Sequence, residues 1–412
     1  MTPIRPVPDT PAQDTQRNEP PGVTVPKAAA LPLAPAATVP KAAALPLAPA
    51  VTAPKAAAPP LAPAVTAPNT PAPPLTPTAT IPNPASPPPH RPPSPWTSRP
   101  RGTTTTICSA VLTLIIAGHD WLPDSPGRLG SLAETLLPWT ALALPALLAA
   151  AILRRSPAAT VALVVPITVW LAVFGGRLTD KSSPGGDLTV VSHNVHQENP
   201  DPHGTARSLI ASGANILALE ELSPDTAPLY EQALAATYPY HFYDGTVGLW
   251  SQYPLRDTRP VPIMPWTRAL RATVDTPRGP LAVYVAHLPS VRVTPAGFTA
   301  GARDEALDRL AADLRAERLR RVIVMGDLNG STDDRALRPL TLDMTSAQAT
   351  AGKGFGFTWP ARFPVVRIDQ ILLKGMNATS AWTLPATTSD HLPVAARLSL
   401  SPETPESPRQ RP

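Results

Sequence analysis

Residues 322–329 read Val-Ile-Val-Met-Gly-Asp-Leu-Asn, an apolar β-rich run that ends on a carboxylate and, two positions on, an amide. Side chains alternate across a strand, so Asp327 and Asn329 at its end point the same way. Three more fragments pair a strand-like run with a polar group at its end: Leu-Thr-Val-Val-Ser-His-Asn (188–194), Ile-Leu-Ala-Leu-Glu-Glu-Leu (216–222) and Leu-Ala-Val-Tyr-Val-Ala-His (281–287). A fifth, Ser-Asp-His-Leu-Pro (389–393), follows near the C-terminus. Carboxylate, amide and imidazole groups of this kind hold a divalent cation, activate water and stabilise a phosphoryl oxygen.

Outward from these fragments, strand-like runs at Leu188–Val191, Ile216–Leu219, Leu281–Ala286, Arg321–Met325 and Gln370–Leu373 alternate with helical patterns over 205–212 and 302–319. This texture predicts a globular α/β domain from 187 to 400. About 210 residues bury a substantial core.

Upstream lie three nearly uncharged apolar segments, 103–118, 135–153 and 158–176. Each approaches the ~20 residues a helix needs to cross a bilayer, so three transmembrane helices are expected within 103–176. Arg91, Arg99 and Arg101 precede the first, and Arg154 with Arg155 separates the second from the third. The loop between the first two holds Asp120 and Asp124 against Arg128. By the positive-inside rule the N-terminal tail is cytoplasmic, and three crossings place the α/β domain outside the cell membrane.

Most of the 59 prolines fall in residues 1–100, where a 14-residue Pro/Ala/Thr unit begins at Thr24 and returns at Thr38, Thr52 and Thr66. Proline at this density favours extended polyproline II, and a disordered tail is expected there, with a shorter one at 401–412. Much of the basic excess behind the net charge of +5 lies in the tail and beside the apolar spans, which disfavours nucleic acid as a partner. Cys108 is the single cysteine, which excludes an intramolecular disulfide and a thiolate metal site.

In order and spacing, the five fragments resemble the endonuclease/exonuclease/phosphatase superfamily of metal-dependent phosphoesterases, over about 188–400. Three spans followed by this domain look like the membrane-anchored actinomycete members linked to teicoplanin-type glycopeptide resistance. The resemblance implies a two-sheet β-sandwich flanked by helices, with its site at one edge. It implies Asn194, Glu221 and Asp390 at a Mg²⁺ ion, for which Mn²⁺ can substitute. It further implies Asp327 on the attacking water, Asn329 on a phosphoryl oxygen, Asp369 orienting His391, and His287 at the leaving oxygen.

Two departures stand out: Glu220 occupies the family's usual Gln position, leaving Glu220 and Glu221 open as the ligand, and His196 replaces an acidic residue. Arg268 and Arg271 could reach a phosphate, or equally lie as snorkelled arginines on a surface strand, and 248–255 is read as support for the site. Each fragment alone has a plainer reading, as an Asx turn, an acidic strand end or a structural histidine.

The implied reaction is attack of water on phosphorus. The short linker from Gly176 to Asp187 holds the domain near the bilayer, which favours a lipid-linked phosphate of envelope synthesis as substrate. An anchored extracellular nuclease and a non-catalytic antibiotic- or precursor-binding protein are the alternatives.

Overall fold

The computed structural model describes residues 102–400 apart from Pro126 and Ala296. The tails expected at 1–100 and 401–412 lie outside these residues.

Two six-stranded sheets form the α/β domain. The first runs β13-β14-β1-β2-β4-β3, built from β1 (Leu188–Asn194), β2 (Ile216–Glu220), β3 (Tyr240–Asp244), β4 (Val247–Ser251), β13 (Asn377–Thr383) and β14 (Val394–Ser399). The second runs β11-β12-β10-β7-β6-β5, from β5 (Leu255–Pro260), β6 (Ala269–Thr276), β7 (Gly279–Ala286), β10 (Val322–Asp327), β11 (Thr345–Ser346) and β12 (Asp369–Lys374). A small hairpin, β8 (Val293–Thr294) with β9 (Gly297–Phe298), stands apart.

Alternation along each strand makes the sandwich. In β1, Val190 faces the core shared by the two sheets, where it meets Ile216, Leu249, Val283 and Ile323. Its neighbour Val191 points outward to a separate cluster with Leu209, Leu217 and Tyr230. That outer cluster is the bed for the helices Pro202–Ala211 and Ala227–Leu234. On the other sheet the helix Gly301–Ala316 buries Ala306, Leu307, Leu310 and Ala311 against Tyr284 and Val324. The result is the helix-flanked two-sheet sandwich expected, and each predicted strand and helix of the domain is present.

The helical segment departs from expectation. Two runs, Leu129–Leu153 and Pro157–Leu178, are long and apolar enough to cross a membrane; the first apolar helix, Thr103–Ala117, is shorter. Gly118 caps it and the polar His119–Asp120 follows. Its 15 residues span about 22 Å at 1.5 Å each, short of the ~30 Å hydrocarbon core of a bilayer. The expected three crossing helices are therefore two long ones and a short companion. The second run also starts six residues earlier than its apolar segment predicts, because 129–134 continue the helix with mixed character.

This segment is welded to the sandwich by polar contacts. Glu134, fully buried, accepts from Arg335 Nε at 2.9 Å and from Arg335 N at 2.8 Å. Ser131 Oγ donates to Asp334 at 2.6 Å, and Arg177 forms a bidentate pair with Asp333. Trp139 Nε1 donates to Val365 O at 2.7 Å while its ring stacks on Phe357. Phe355 packs on Trp170 and Phe174.

Candidate active site

Strand direction gathers the polar groups. β1 and β2 are parallel, as are β7 and β10, so four strands end at one edge of the sandwich. β12 is antiparallel to β10 and begins there, which sets Asp369 directly opposite Asp327. The stretch 389–393 enters β14 at the same edge, since Val394 pairs with Ser192.

Just past three of these strand ends the chain turns left-handed: His196 (φ 63°), Glu221 (φ 61°) and Asn329 (φ 46°). Asparagine tolerates this region, but for histidine and glutamate it costs about 1 kcal/mol or more. The turns aim these residues across the edge. Gly326 (φ 142°) lets β10 pass Ala286, because a Cβ there would stand 1.9 Å from Ala286 O.

The deepest pair is His391 and Asp369. Both are buried, and His391 Nδ1 lies 3.0 Å from Asp369 Oδ2 and 3.1 Å from Oδ1. Ser389 explains the first letter of Ser-Asp-His: its hydroxyl donates to Asn194 O at 2.7 Å and accepts from His391 N at 3.0 Å. The other imidazole nitrogen, Nε2, faces Asp327 Oδ2 at 3.9 Å. Burial opposes a charge on His391, but the charge and hydrogen bond of Asp369, with Asp327 and Asp390 beyond, outweigh it and raise the pKa to about 10. His391 is thus an imidazolium through the neutral range. Burial, then the charge of Asp369, pushes the Asp327 carboxyl up from the usual range, against the pull of His391.

His287 Nε2 stands 3.7 Å from both Glu221 Oε1 and Asp327 Oδ2. Burial, helped by Arg268 and His391, drives its pKa well down. Its Nδ1 is buried without a hydrogen-bond partner, which favours the neutral tautomer with the proton on Nε2, facing the carboxylates.

At the mouth, His196 Nδ1 lies 3.4 Å from Asp390 Oδ1 and 3.8 Å from Glu221 Oε2. The two carboxylates expected at a cation therefore flank one imidazole. Glu220 is elsewhere: fully buried, accepting from Ser192 Oγ at 2.9 Å, with Oε2 unpartnered. Burial and the charges of Asp369 and Asp327 raise its pKa well above the ordinary value. Of the two glutamates, Glu221 is the one that faces the mouth. Glu220→Gln preserves the shape of a buried group remote from the mouth and should leave phosphoester turnover within about threefold, whereas Glu221→Gln should lower it by about 10²-fold or more. Parallel kinetics on the two variants check this, and equal losses would refute it.

Asn194 is committed within the protein. Its Nδ2 donates to Asp327 Oδ2 at 3.1 Å and its Oδ1 accepts from His196 N at 3.0 Å, so it braces the residues expected around the ion. Asn329 donates from Nδ2 to Leu288 O at 2.9 Å and, through its backbone N, to Asp327 Oδ1 at 2.9 Å. One amide N–H remains for a ligand.

Residues 191–391 match the Endonuclease/Exonuclease/phosphatase family. They form an endonuclease/exonuclease/phosphatase domain. Members of this family are typically metal-dependent hydrolases of phosphoester bonds. The chain is similar to the crystal structure of an endonuclease/exonuclease/phosphatase from Beutenbergia cavernae, at 18% identity and TM-score 0.43, covering 52% of this chain and 72% of that one. It is similar to sphingomyelinase C from Streptomyces griseocarneus at 19% identity and TM-score 0.42, covering 52% and 99%. A mannosyl-6-phosphatase from Bacteroides thetaiotaomicron aligns at 15% identity and TM-score 0.44, again over 52% and 99%. No curated protein sequence matches the chain.

The donor set of this domain suits a hard or borderline divalent cation: Glu221 and Asp390 at the mouth, with His196 between them and Asp327 and Asp369 behind. The arginines sort differently from expectation. Arg268 donates from Nε to His287 O at 2.9 Å, near the site. Arg271 is buried and donates to Glu317 Oε2 at 3.0 Å, its side chain on the sheet's outer face with the end of the Gly301–Ala316 helix; it does not serve the site. The 248–255 segment is structural, with Trp250 buried and Gln252 accepting from Asn215 at 2.9 Å. Arg303 carries no motif. It is fully buried and donates from Nη1 to Asn329 O at 3.1 Å while pairing with Asp334 at 2.7 Å.

Proposed function

We propose that this protein is a divalent-cation-dependent phosphoesterase held at the outer face of the cell membrane, acting on a phosphate or diphosphate carried by a lipid of envelope synthesis. The observation that carries the catalytic reading is the convergence of Asp327 on three groups: His391 held by Asp369, His287, and Asn194. A binding protein has no need of a buried imidazolium facing a carboxyl of raised pKa.

Glu221 and Asp390, with His196, would hold the cation, Mg²⁺ or Mn²⁺. When bound it supplies neutralisation of charge on a non-bridging phosphoryl oxygen. The chain's own groups divide the remaining work. Asp327, braced by Asn194 and by the backbone N–H of Asn329, accepts the proton of the attacking water. His391 is already protonated, so it serves as donor to the phosphoryl oxygen where negative charge grows. Asn329 offers its second amide proton to the same group. His287 presents Nε2–H toward the departing oxygen. The P–O bond to that oxygen breaks as the bond to water forms.

Placement supports the substrate. The two long helical runs form a hairpin whose turn carries Arg154 and Arg155, and whose far ends meet the sandwich. The positive-inside rule puts the turn in the cytoplasm and the site outside, whatever the short helix does. Lipid phosphates of the outer leaflet are then the most concentrated substrates within reach, and turnover of a cell-wall carrier would account for glycopeptide resistance.

Full-length protein in vesicles, supplied with Mg²⁺ or Mn²⁺, should release phosphate from a polyprenyl diphosphate or a phospholipid and lose that activity in EDTA. Cleavage of DNA without release from lipid would overturn the substrate. No hydrolysis of any of the three would overturn the enzyme.

A further inference from the structure

The segment between β11 and β12 joins two parts of the molecule that the function treats separately. Trp359 and Val366 pair in an isolated antiparallel bridge, closing a short hairpin whose tip is Pro360–Val365. One side of it lies on a proposed cation ligand: Trp359 Nε1 donates to Asp390 Oδ2 at 3.2 Å and Ala361 N to Asp390 O at 2.6 Å. The other side lies on the helical segment, where Val365 O accepts from Trp139. Phe363 at the tip is 71% exposed, Trp359 is 39% exposed, and Arg362 between them is exposed. This phenylalanine, so open to water within a hairpin otherwise fixed at both flanks, has no side-chain partner among the described residues.

Helix lengths say what covers it. From Trp139 to Leu153 the helical run, 3-10 up to Leu142 and α from Ala143, rises about 23 Å, and the short helix Thr103–Ala117 about 22 Å. Both start level with the Arg154–Arg155 turn, since Gly102 lies against Ser156. The hairpin thus meets the helical segment only some 22–23 Å above the turn, although the two long runs continue past it to Glu134 and Arg177, whereas a hydrocarbon core is ~30 Å thick. Unless the bilayer thins by the whole difference, acyl chains rise to the level of the hairpin. Trp121, 87% exposed at the sandwich end of the short helix, sits at that level too, as interfacial tryptophans do.

We propose that the hairpin Trp359–Val366 is immersed in the acyl boundary of the outer leaflet and takes the hydrocarbon chain of the lipid substrate. Phe363 contacts the chain, Arg362 reaches back to the headgroup layer, and Trp359 marks the passage to Asp390. The lipid phosphate then reaches the site without leaving the bilayer. This rests on the membrane-surface reading given above.

The test uses full-length protein carrying Cys108→Ser and Phe363→Cys, labelled with an environment-sensitive dye, in phosphatidylglycerol/phosphatidylcholine vesicles. Nitroxide on the lipid acyl chain should quench the dye at 363 and leave a dye at Arg256→Cys, on β5, unquenched. Equal quenching, or none at 363, overturns the placement. In parallel, Phe363→Ser should lose about tenfold or more in turnover of a long-chain polyprenyl diphosphate and keep wild-type turnover of a water-soluble short-chain isoprenyl diphosphate. An equal loss on both, or on neither, overturns the role in chain binding. Wild-type protein inactive on both would instead sink the lipid-phosphoesterase reading and the chain-binding role with it, while the quenching result would still decide where the hairpin lies.

Discussion

Replacing Glu134 by alanine should destabilise the chain by about 3–5 kcal/mol, the usual effect of leaving one partner of a buried ion pair alone. Glu134 is fully buried, and Arg335 reaches it through side-chain and backbone nitrogens while also donating from Nη2 to His119 O at 2.7 Å. Without the carboxylate, a largely buried guanidinium keeps only that one carbonyl. Removing both charges, as Glu134→Leu with Arg335→Met, should recover most of the loss, because the desolvation penalty goes with them. Chemical denaturation of the two variants in the same detergent or vesicles reads the difference. A loss below about 1 kcal/mol for Glu134→Ala would mean that the pair is solvated and weak.

Activity should fall in the same variant. Arg335 adjoins Asp334, which pairs with Arg303, which holds Asn329 O. Ser131 of the helical segment bonds the same Asp334. The helices of residues 103–178 thus help to position the loop after β10, so residues 182–412 alone would leave Arg335, Asp333 and Asp304 without their partners Glu134, Arg177 and Arg128.

What the sequence revealed of this arrangement follows from distance along the chain. Strands announce themselves through two-residue alternation, and the polar group after each is fixed by local geometry, so Asp327 and His287 could be read from the residues, whereas Asp369 opens β12 and entered only through the resemblance. Glu220 could not be separated from Glu221 without the turn at φ 61° that sends the second toward the mouth and leaves the first in the core. Arg303 is one of several arginines on an amphipathic helix, and only its contact with Asn329 O, 26 positions on, distinguishes it. Arg271 misled because alternation tells which side of a sheet a residue faces, not what waits there; Glu317 does. The first apolar helix misled because composition gives hydrophobicity, whereas crossing depends on where Gly118 ends the helix.

Changing Asp369 to asparagine should move both limbs of the pH–rate profile downward and lower the maximum by about 10²–10⁴-fold. The alkaline limb belongs to His391. Its folded pKa is raised to about 10, chiefly by Asp369 acting against burial, so the imidazolium is lost only as pH rises through that value. Without the carboxylate, burial acts unopposed and the limb should fall to or below the ordinary histidine value of about 6.5. The acid limb belongs to Asp327, raised by burial and then by the charge of Asp369; neutralising the latter lets Asp327 ionise at lower pH. A bound cation displaces both limbs to lower pH in wild type and variant alike, so the direction of change between them is the decisive quantity. The linkage to folding has a definite sign. Because the folded pKa of His391 is raised, its stabilisation is complete below about pH 6.5 and disappears as pH climbs toward 10, and Asp369→Asn should erase that dependence. If His391 were instead the general base, it would act as neutral imidazole, and lowering its pKa in Asp369→Asn would extend activity to more acid pH with no new alkaline loss. A pH profile with its alkaline limb unmoved would remove His391 from the role of proton donor.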